Sequence, residues 1–267
     1  MAVERIRWED LPERTRRQVE TETGTVYAAE TVSEGLNSAI AAILRTESGR
    51  VFVKGLHRDY PRRWTQDREA AINSSIGHIS PRLLWRVEGE WDLLGFEAID
   101  GRHADYRPGS TDLPLLISTM AELGKTTCPD VEIKVAEDRW RPYVSNLAHL
   151  AHFAGDRLLH TDYNPVNILI ADGRALLIDW AWPTKGAAWI DPACLITRLM
   201  ASGHTAAQAE GAVRDLPAWR EAPVDGLHRF AEANARVWAE IATNDSSEWT
   251  HSMNTAAREW LKHRATL

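Results

Sequence analysis

The chain has 267 residues, enough for one large domain or two lobes, and its formal net charge of −7 argues against nucleic acid as the main partner, because such binding depends on clustered lysines and arginines. No apolar run approaches the roughly 20 residues needed to cross a bilayer, and the amino-terminal residues are charged where a signal peptide would be apolar. The two cysteines lack metal-site spacing, so the composition predicts a cytoplasmic protein with reduced thiols and without a nucleic-acid or membrane partner.

The first hundred residues have the patterning of a β-sheet. After a charged helix predicted at residues 3–20, alternating apolar residues and turn signals predict an antiparallel sheet of five strands, at residues 26–29, 39–45, 51–54, 81–87 and 91–99. One helix is predicted at residues 62–76, where apolar residues recur at near-helical spacing. The polar segment at residues 100–105 ends this pattern, and we interpret it as a linker between lobes.

The rest of the chain is predicted to be mainly helical. Residues 112–125 place their apolar side chains on one stripe, and residues 137–153 show a similar pattern after a loop. From residue 193 onwards the chain is again helical, with two prolines as breaks. Strands followed by helices predict an α+β fold.

The most informative stretch lies at residues 158–182, with the sequence LLHTDYNPVNILIADGRALLIDWAW. It predicts a polar loop, a short strand, a tight turn at Asp172-Gly173 and a second strand that ends on Asp179. Because a tight turn brings the far ends of two strands together, we expect Asp162, Asn167 and Asp179 to converge on one site.

These three side chains are of the types that phosphoryl transfer requires. Asp179 and Asn167 offer hard oxygen ligands to Mg²⁺ and leave most of its coordination shell to phosphate and water. Asp162 can accept a hydrogen bond from a hydroxyl and orient that hydroxyl for in-line attack. The stretch therefore predicts a catalytic carboxylate beside a metal site.

The same residues carry a resemblance to a known family. The chain resembles the aminoglycoside phosphotransferase and choline kinase-like small-molecule kinases, through the ordered match of His160, Asp162, Asn167, Ile178-Asp179-Trp180 and Asp191-Pro192-Ala193. This resemblance implies a two-lobe, protein-kinase-like fold, with a nucleotide-binding lobe at 1–99 and a helical lobe with the catalytic loop and acceptor pocket at 100–267. It also implies that His160 and Asp191 brace the catalytic loop and serve as structural support.

The resemblance assigns nucleotide contacts to the first lobe. In the turn before residue 39, which would cover the phosphates, the residues at the matching places are Gly35, Asn37 and Ser38. The backbone of Glu97, Ala98 and Ile99 is implied to contact the adenine edge.

Lys54 ends an apolar strand, Val51-Phe52-Val53-Lys54, that resembles the Val-Ala-Ile-Lys strand of kinases. By that resemblance its ammonium contacts the α- and β-phosphates. A carboxylate on the following helix would hold the ammonium in place. Glu69 is the favoured partner, and Asp67 is the alternative.

We therefore expect an ATP- and Mg²⁺-dependent enzyme that phosphorylates a hydroxyl of a small-molecule acceptor, as a monomer or homodimer. GTP in place of ATP and a role in antibiotic resistance stay open. One alternative is a metabolic kinase for an acceptor such as choline, homoserine or a ketoamine. Another is a catalytically silent nucleotide-binding pseudokinase, because the phosphate turn has a single glycine and Ala181 stands where the family usually has glycine. Retention of the lysine, both aspartates and the asparagine argues against the silent alternative.

Overall fold

The computed structural model describes residues 4–33, 35 and 37–267, and these form two compact units. The first unit comprises the described residues up to Arg102 together with Leu177–Ala181, and the second comprises His103–Leu176 and Trp182–Leu267. Val3 of the predicted first helix, and Glu34 and Leu36 of the predicted phosphate turn, lie outside the described residues.

The first unit is built on a five-stranded sheet. Its helices and strands are α1 (Glu13–Thr23), β1 (Val26–Thr31), β2 (Ile40–Thr46), β3 (Gly49–His57), α2 (Trp64–Ile76), β4 (Leu83–Val87) and β5 (Trp91–Glu97). The strand order is β1-β2-β3-β5-β4, and every neighbouring pair is antiparallel. The predicted five-stranded antiparallel sheet is therefore confirmed.

The side chains of the central strand β3 have different surroundings on the two faces of the sheet. Successive side chains of a strand point to opposite faces of the sheet. Val51 and Val53 are buried in a cluster that includes Trp8 and Val19 from the amino-terminal region. Lys54 consequently faces the other side, where Glu69 of α2 meets it.

The amino-terminal helix begins later than predicted. α1 starts at Glu13, and the preceding residues form only a single 3₁₀ turn at Trp8–Asp10. Proline disfavours helical backbone in the residue before it, and Leu11, ahead of Pro12, is extended at φ −65° and ψ 145°. The prediction of one helix over residues 3–20 is therefore wrong for residues 4–12.

The second unit is mainly helical. Its strands are short: β6 (Arg102–His103), β7 (Lys134–Val135), β8 (Arg157–Leu159), β9 (Ile168–Ala171), β10 (Arg174–Leu177) and β11 (Thr184–Gly186). The first residue of β6, Arg102, and the last residue of β10, Leu177, belong to the first unit. Its helices are α3 (Asp112–Leu123), α4 (Ala136–Trp140), α5 (Ile190–Ala201), α6 (Ala206–Val213), α7 (Pro217–Arg220), α8 (Val224–Asn244) and α9 (Glu248–Arg264). None of the helices in the described part of the chain has the length and apolar content that crossing a membrane demands.

The predicted helix at residues 137–153 is wrong beyond Trp140. α4 ends at Trp140, and the rest of the segment forms two 3₁₀ turns, Arg141–Tyr143 and Leu147–His152. Pro142 has no N–H to continue an α-helix. Asn146 is extended, and its side chain accepts a hydrogen bond from the Ala148 N–H at 3.0 Å, which starts a new turn.

The hairpin of β9 and β10 forms as predicted. Asp172 and Gly173 have φ of 49° and 70°, the two positive values that a two-residue type I′ turn requires. Asn164 caps the 3₁₀ turn Pro165–Asn167 that leads into β9, with its side chain 3.3 Å from the Val166 N–H. Asn167, the asparagine of the predicted site, is thus held at the start of the hairpin.

A cluster of aromatic rings forms much of the core of the second unit. The Phe230 ring of α8 lies 5.1 to 6.4 Å, between ring centroids, from the rings of Trp140, Phe153, Trp189 and Trp260. Large rings bury much apolar area per residue. This packing accounts for several of the twelve tryptophans and joins α8 to α4 and α9.

Candidate active site

The first unit buries a lysine between two carboxylates. Lys54 Nζ lies 2.6 Å from Glu69 Oε2 and 3.0 Å from Asp179 Oδ1. Asp67, the alternative partner, instead pairs with Arg63 and Arg86. The structure thus places Lys54, Glu69 and Asp179 together.

Burial and charge act against each other in this cluster. Burial alone would lower the pKa of the Lys54 ammonium, but the carboxylates of Asp179 and Glu69 raise that pKa above its ordinary value. Burial is the main reason why the pKa of Glu69 is raised, although Lys54 opposes the rise. The ammonium is therefore charged at neutral pH, and the cluster holds two acidic groups around one cation.

Asp179 is held in an unusual backbone conformation. Its φ of 59° lies in the left-handed region, which residues with a side chain seldom adopt. Besides Lys54, its carboxylate contacts Asn37, whose Nδ2 donates to Asp179 Oδ2 at 3.1 Å. The next residue, Trp180, donates its backbone N–H to Glu69 Oε1 at 3.4 Å. Side chains from distant parts of the first unit therefore orient this carboxylate.

The three predicted phosphate-turn residues differ in their contacts. Asn37 contacts Asp179 as described, while the Gly35 carbonyl accepts a hydrogen bond from Arg5 Nη2 at 2.6 Å. Gly35 has a φ of 84°, which explains a glycine at this position. Ser38 is buried and lies two residues before the start of β2. The phosphate-covering role of all three residues stays a prediction.

The predicted adenine-contacting residues lie at the end of β5. Glu97 is its last residue, and the Glu97 N–H donates to the Arg82 carbonyl at 3.0 Å. That N–H is therefore already used within the sheet. The N–H groups that follow, those of Ala98 and Ile99, are better candidates for a hydrogen bond to the adenine edge.

In the second unit, both carboxylate oxygens of Asp162 accept hydrogen bonds. Asn167 Nδ2 donates to Asp162 Oδ2 at 3.0 Å and to the Asp162 carbonyl at 3.2 Å. Arg198 Nη2 donates to Asp162 Oδ1 at 2.7 Å. The Asp162 side chain nevertheless keeps 34% of its surface exposed. The carboxylate is thus fixed in orientation and still reachable by a substrate.

Asp191 anchors the start of this loop. It accepts the backbone N–H groups of His160 and Thr161 at 3.0 and 2.9 Å. Asp191 lies inside the first turn of α5, which begins at Ile190. Burial raises the pKa of this carboxyl, whereas the two N–H donors lower it.

His160 and Thr161 shape the loop between Asp191 and Asp162. His160 Nδ1 accepts the Asp162 N–H at 3.2 Å. Thr161 has a φ of 66°, a rare conformation for a β-branched residue. Hydrogen bonds to the His160 ring and to the buried Asp191 carboxylate therefore fix the backbone of this loop.

The donor set suits Mg²⁺. Asn167 uses its Nδ2 for both bonds to Asp162, so its Oδ1 is the atom that can serve as a ligand. The other predicted ligand, Asp179, supplies carboxylate oxygens, and hard oxygen donors are what Mg²⁺ prefers. Asp162 and Asn167 belong to the second unit and Asp179 to the first, so the convergence of all three stays a prediction.

Sequence reasoning missed Arg198 as a partner of Asp162. Arg198 lies on α5 seven residues after Asp191, and this spacing puts the two side chains on nearly the same helix face. A charged residue within the apolar run Leu195 to Met200 was therefore the available signal. The link from Asn37 to Asp179 spans 142 residues of sequence and left no local signal.

Comparison with solved structures identifies the fold. The choline kinase LicA from Streptococcus pneumoniae is 12% identical, with a TM-score of 0.63 over 94% of this chain and 99% of LicA. A structure of LicA in complex with AMP also matches, with a TM-score of 0.61 at 11% identity over 94% of this chain and 97% of that one. An aminoglycoside phosphotransferase from Alicyclobacillus acidocaldarius is 13% identical, with a TM-score of 0.62 over 96% of each chain. The macrolide 2′-phosphotransferase MphH from Brachybacterium faecium is 18% identical, with a TM-score of 0.57 over 92% of this chain and 98% of MphH.

No protein-family model and no curated protein sequence matches the chain. The structural matches confirm the expected resemblance at the level of fold, which is the protein-kinase-like α+β fold of small-molecule kinases. At identities of 11 to 18%, these matches do not identify the acceptor, which has to be argued from the residues of this chain.

Proposed function

We propose that this protein is an ATP- and Mg²⁺-dependent phosphotransferase that phosphorylates a hydroxyl group of a small molecule. The observation that carries the proposal is the buried Lys54 ammonium between Glu69 and Asp179. Two carboxylates around one buried cation are a costly arrangement for folding alone. The arrangement is explained if the ammonium binds polyphosphate and a carboxylate binds a divalent cation.

Each unit contributes one set of residues to the reaction. In the first unit, Lys54 binds phosphate oxygens and Glu69 keeps its ammonium in place. In the second unit, Asp162 accepts the hydrogen bond of the acceptor hydroxyl and takes its proton as the hydroxyl oxygen attacks the γ-phosphorus of ATP; the bond between that phosphorus and the bridging oxygen breaks, and ADP leaves. Each oxygen of a carboxylate has two lone-pair directions, so the bonds from Arg198 and Asn167 leave room for this contact.

Asn167 and Asp179 would hold Mg²⁺, and the bound Mg²⁺–ATP complex supplies the transferable phosphoryl group. The neighbouring structure in complex with AMP supports a nucleotide as the ligand of this fold. The choline kinase, aminoglycoside and macrolide phosphotransferase structures support a small hydroxyl compound as the acceptor class.

The test combines a binding assay with a turnover assay. The purified protein is first tested for a shift of its melting temperature by Mg²⁺–ATP, and then for ATP consumption with a panel of hydroxyl compounds. With an acceptor found, Asp162→Asn should lower kcat by about 10²- to 10⁴-fold, because it removes the proton acceptor. The thermal shift with Mg²⁺–ATP should stay, since Asp162 is not assigned to the nucleotide.

Asp172→Asn is the matched control, because it makes the same chemical change in the β9–β10 turn, outside the loop that contains Asp162. It should leave kcat unchanged. Wild-type turnover in Asp162→Asn would refute the assignment of this residue. Binding of Mg²⁺–ATP without consumption on any acceptor would instead favour the catalytically silent alternative.

A further inference from the structure

The guanidinium of Arg198 is enclosed by aromatic rings. Its central carbon lies 5.1 Å from the ring centroid of Trp238 and 4.8 Å from that of Trp249. The two indoles meet edge to face, with centroids 5.3 Å apart and an angle of 82° between their planes. Only 9% of the Arg198 side chain is exposed. The two rings, from α8 and α9, thus cover a cation that belongs to the protein.

This guanidinium also contacts the proposed catalytic carboxylate. Arg198 Nη2 donates to Asp162 Oδ1 at 2.7 Å, while Nη1 is buried without a hydrogen-bond partner in the described part of the chain. Burial lowers the pKa of Arg198, and the negative charge of Asp162 opposes that effect. An arginine stays protonated in proteins. Arg198 and Asp162 therefore form an ion pair with no net charge.

Aromatic faces and carboxylates are the two features with which proteins bind substrate ammonium groups. In this protein the guanidinium of Arg198 already contacts both the aromatic faces and the carboxylate. A substrate ammonium near Asp162 would find the ring faces covered and would meet a like charge in the guanidinium. A neutral acceptor meets neither obstacle.

We propose that Arg198 is a positioning and specificity-determining residue, and that the acceptor is a hydroxyl compound without a cationic group beside its reacting hydroxyl. The inference rests on the proposed phosphotransferase function. Arg198 and Asn167 each hold one oxygen of Asp162, which orients the carboxylate towards the hydroxyl. At the same time the guanidinium takes the place that an acceptor ammonium would otherwise occupy.

The experiment uses two alcohols of the same shape. Choline and 3,3-dimethylbutan-1-ol differ in that one carries a quaternary nitrogen where the other has carbon. Calorimetric titration measures the affinity of each for wild type, Arg198→Ala and Arg198→Lys. Replacing Arg198 by alanine uncovers the rings and the carboxylate, so choline should bind about tenfold more tightly to Arg198→Ala than to wild type. The neutral alcohol should change by less than about threefold, since it gains no charge interaction.

Two controls separate this effect from general loosening. Arg198→Lys keeps a cation at the position and should exclude choline as wild type does. Adding Trp249→Ala to Arg198→Ala removes one ring and should lose most of the gained choline affinity. Circular dichroism shows whether each variant folds. If Arg198→Ala does not fold, wild type alone decides, because it must bind choline no more tightly than the neutral alcohol.

Choline binding that is equally tight in wild type and in folded Arg198→Ala would overturn the proposal, and so would tighter binding of choline than of the neutral alcohol by wild type. These are binding measurements and need no turnover. Failure of the phosphotransferase proposal would instead appear as wild-type turnover in Asp162→Asn, or as an absence of ATP consumption with every acceptor. The two proposals can therefore fail separately.

Discussion

The buried cluster of Lys54, Glu69 and Asp179 predicts an asymmetry between two substitutions. Lys54→Met removes the one cation and leaves two carboxylates facing each other, one of them almost fully buried. Glu69→Gln removes one carboxylate and leaves the Lys54–Asp179 pair at 3.0 Å. We therefore expect Lys54→Met to destabilise the protein more than Glu69→Gln does.

The magnitudes follow from burial. Removing one partner of a buried ion pair typically costs about 3–5 kcal/mol. We expect the lower end, about 3 kcal/mol, for Lys54→Met, because Glu69, whose pKa burial already raises, can take up a proton once the ammonium is gone. Glu69→Gln replaces one charged hydrogen bond by a neutral one and should cost about 1–2 kcal/mol.

Protonation of Glu69 makes the stability cost of Lys54→Met depend on pH. In Lys54→Met, the folded-state pKa of Glu69 lies above its unfolded value, because burial and Asp179 both favour the neutral acid. The folded variant then binds a proton that the unfolded chain releases, so its stability rises as pH falls towards the raised pKa of Glu69. The cost of Lys54→Met should therefore be largest near neutral pH and shrink in acid.

Urea unfolding followed by circular dichroism measures both costs, at pH 7 and at lower pH values closer to the ordinary pKa of glutamic acid. Lys125→Met is the matched control, since Lys125 pairs with Glu122 at 2.7 Å on an exposed surface and should cost less than about 1 kcal/mol. The double variant Lys54→Met/Glu69→Gln should be more stable than Lys54→Met alone, because it removes one of the two facing carboxylates. A larger cost for Glu69→Gln than for Lys54→Met, or simple additivity in the double variant, would refute this account.

Two further predictions concern stability. Burial raises the pKa of Asp191, so the folded state favours the protonated acid, and wild type loses stability as pH rises through the raised pKa. The cost of Asp191→Asn, measured by urea unfolding, should thus be largest in acid and shrink towards neutral pH; a cost that grows with pH would contradict this. Gly173→Ala should lower the free energy of unfolding by about 1 kcal/mol, since φ is 70° although no atom lies within 4 Å of an added Cβ. Gly211→Ala, in α6 with the same free space, should raise it by about 0.5–1 kcal/mol; the same sign for both would show that backbone conformation is not the cause.

Local patterns in the sequence predicted those features that depend on neighbouring residues. The apolar run that ends on Lys54 predicted a strand, and β3 carries that residue in the middle of the sheet. Asp172-Gly173 predicted a tight turn, because few other residue pairs accept two positive φ values. Periodicity failed at residues 137–153, where apolar residues at helical spacing concealed the effect of Pro142 and Asn146.

Contacts between distant residues were beyond local patterns. Arg198 appeared in the sequence as one of several arginines in a charge-balanced region, and its pairing with Asp162 depends on how α5 packs beside the loop that contains Asp162. The rings of Trp238 and Trp249 could likewise be assigned only to packing or to a ligand, and the structure shows an internal cation between them. Such features follow from tertiary packing, which a single sequence does not display.

Backbone conformation explains why the short motifs need the rest of the molecule. Thr161 and Asp179 both adopt left-handed φ values, which cost on the order of 1–3 kcal/mol each and persist only where surrounding contacts impose them. The Thr161 N–H donates to the buried Asp191 carboxylate, and the Asp179 carboxylate accepts hydrogen bonds from Lys54 and Asn37. Charged hydrogen bonds of this kind contribute about 1.5–3 kcal/mol each, enough to offset the strain. The orientation of both candidate active-site segments is therefore set by residues 30 to 142 positions away, so a peptide with the motif alone would not adopt it.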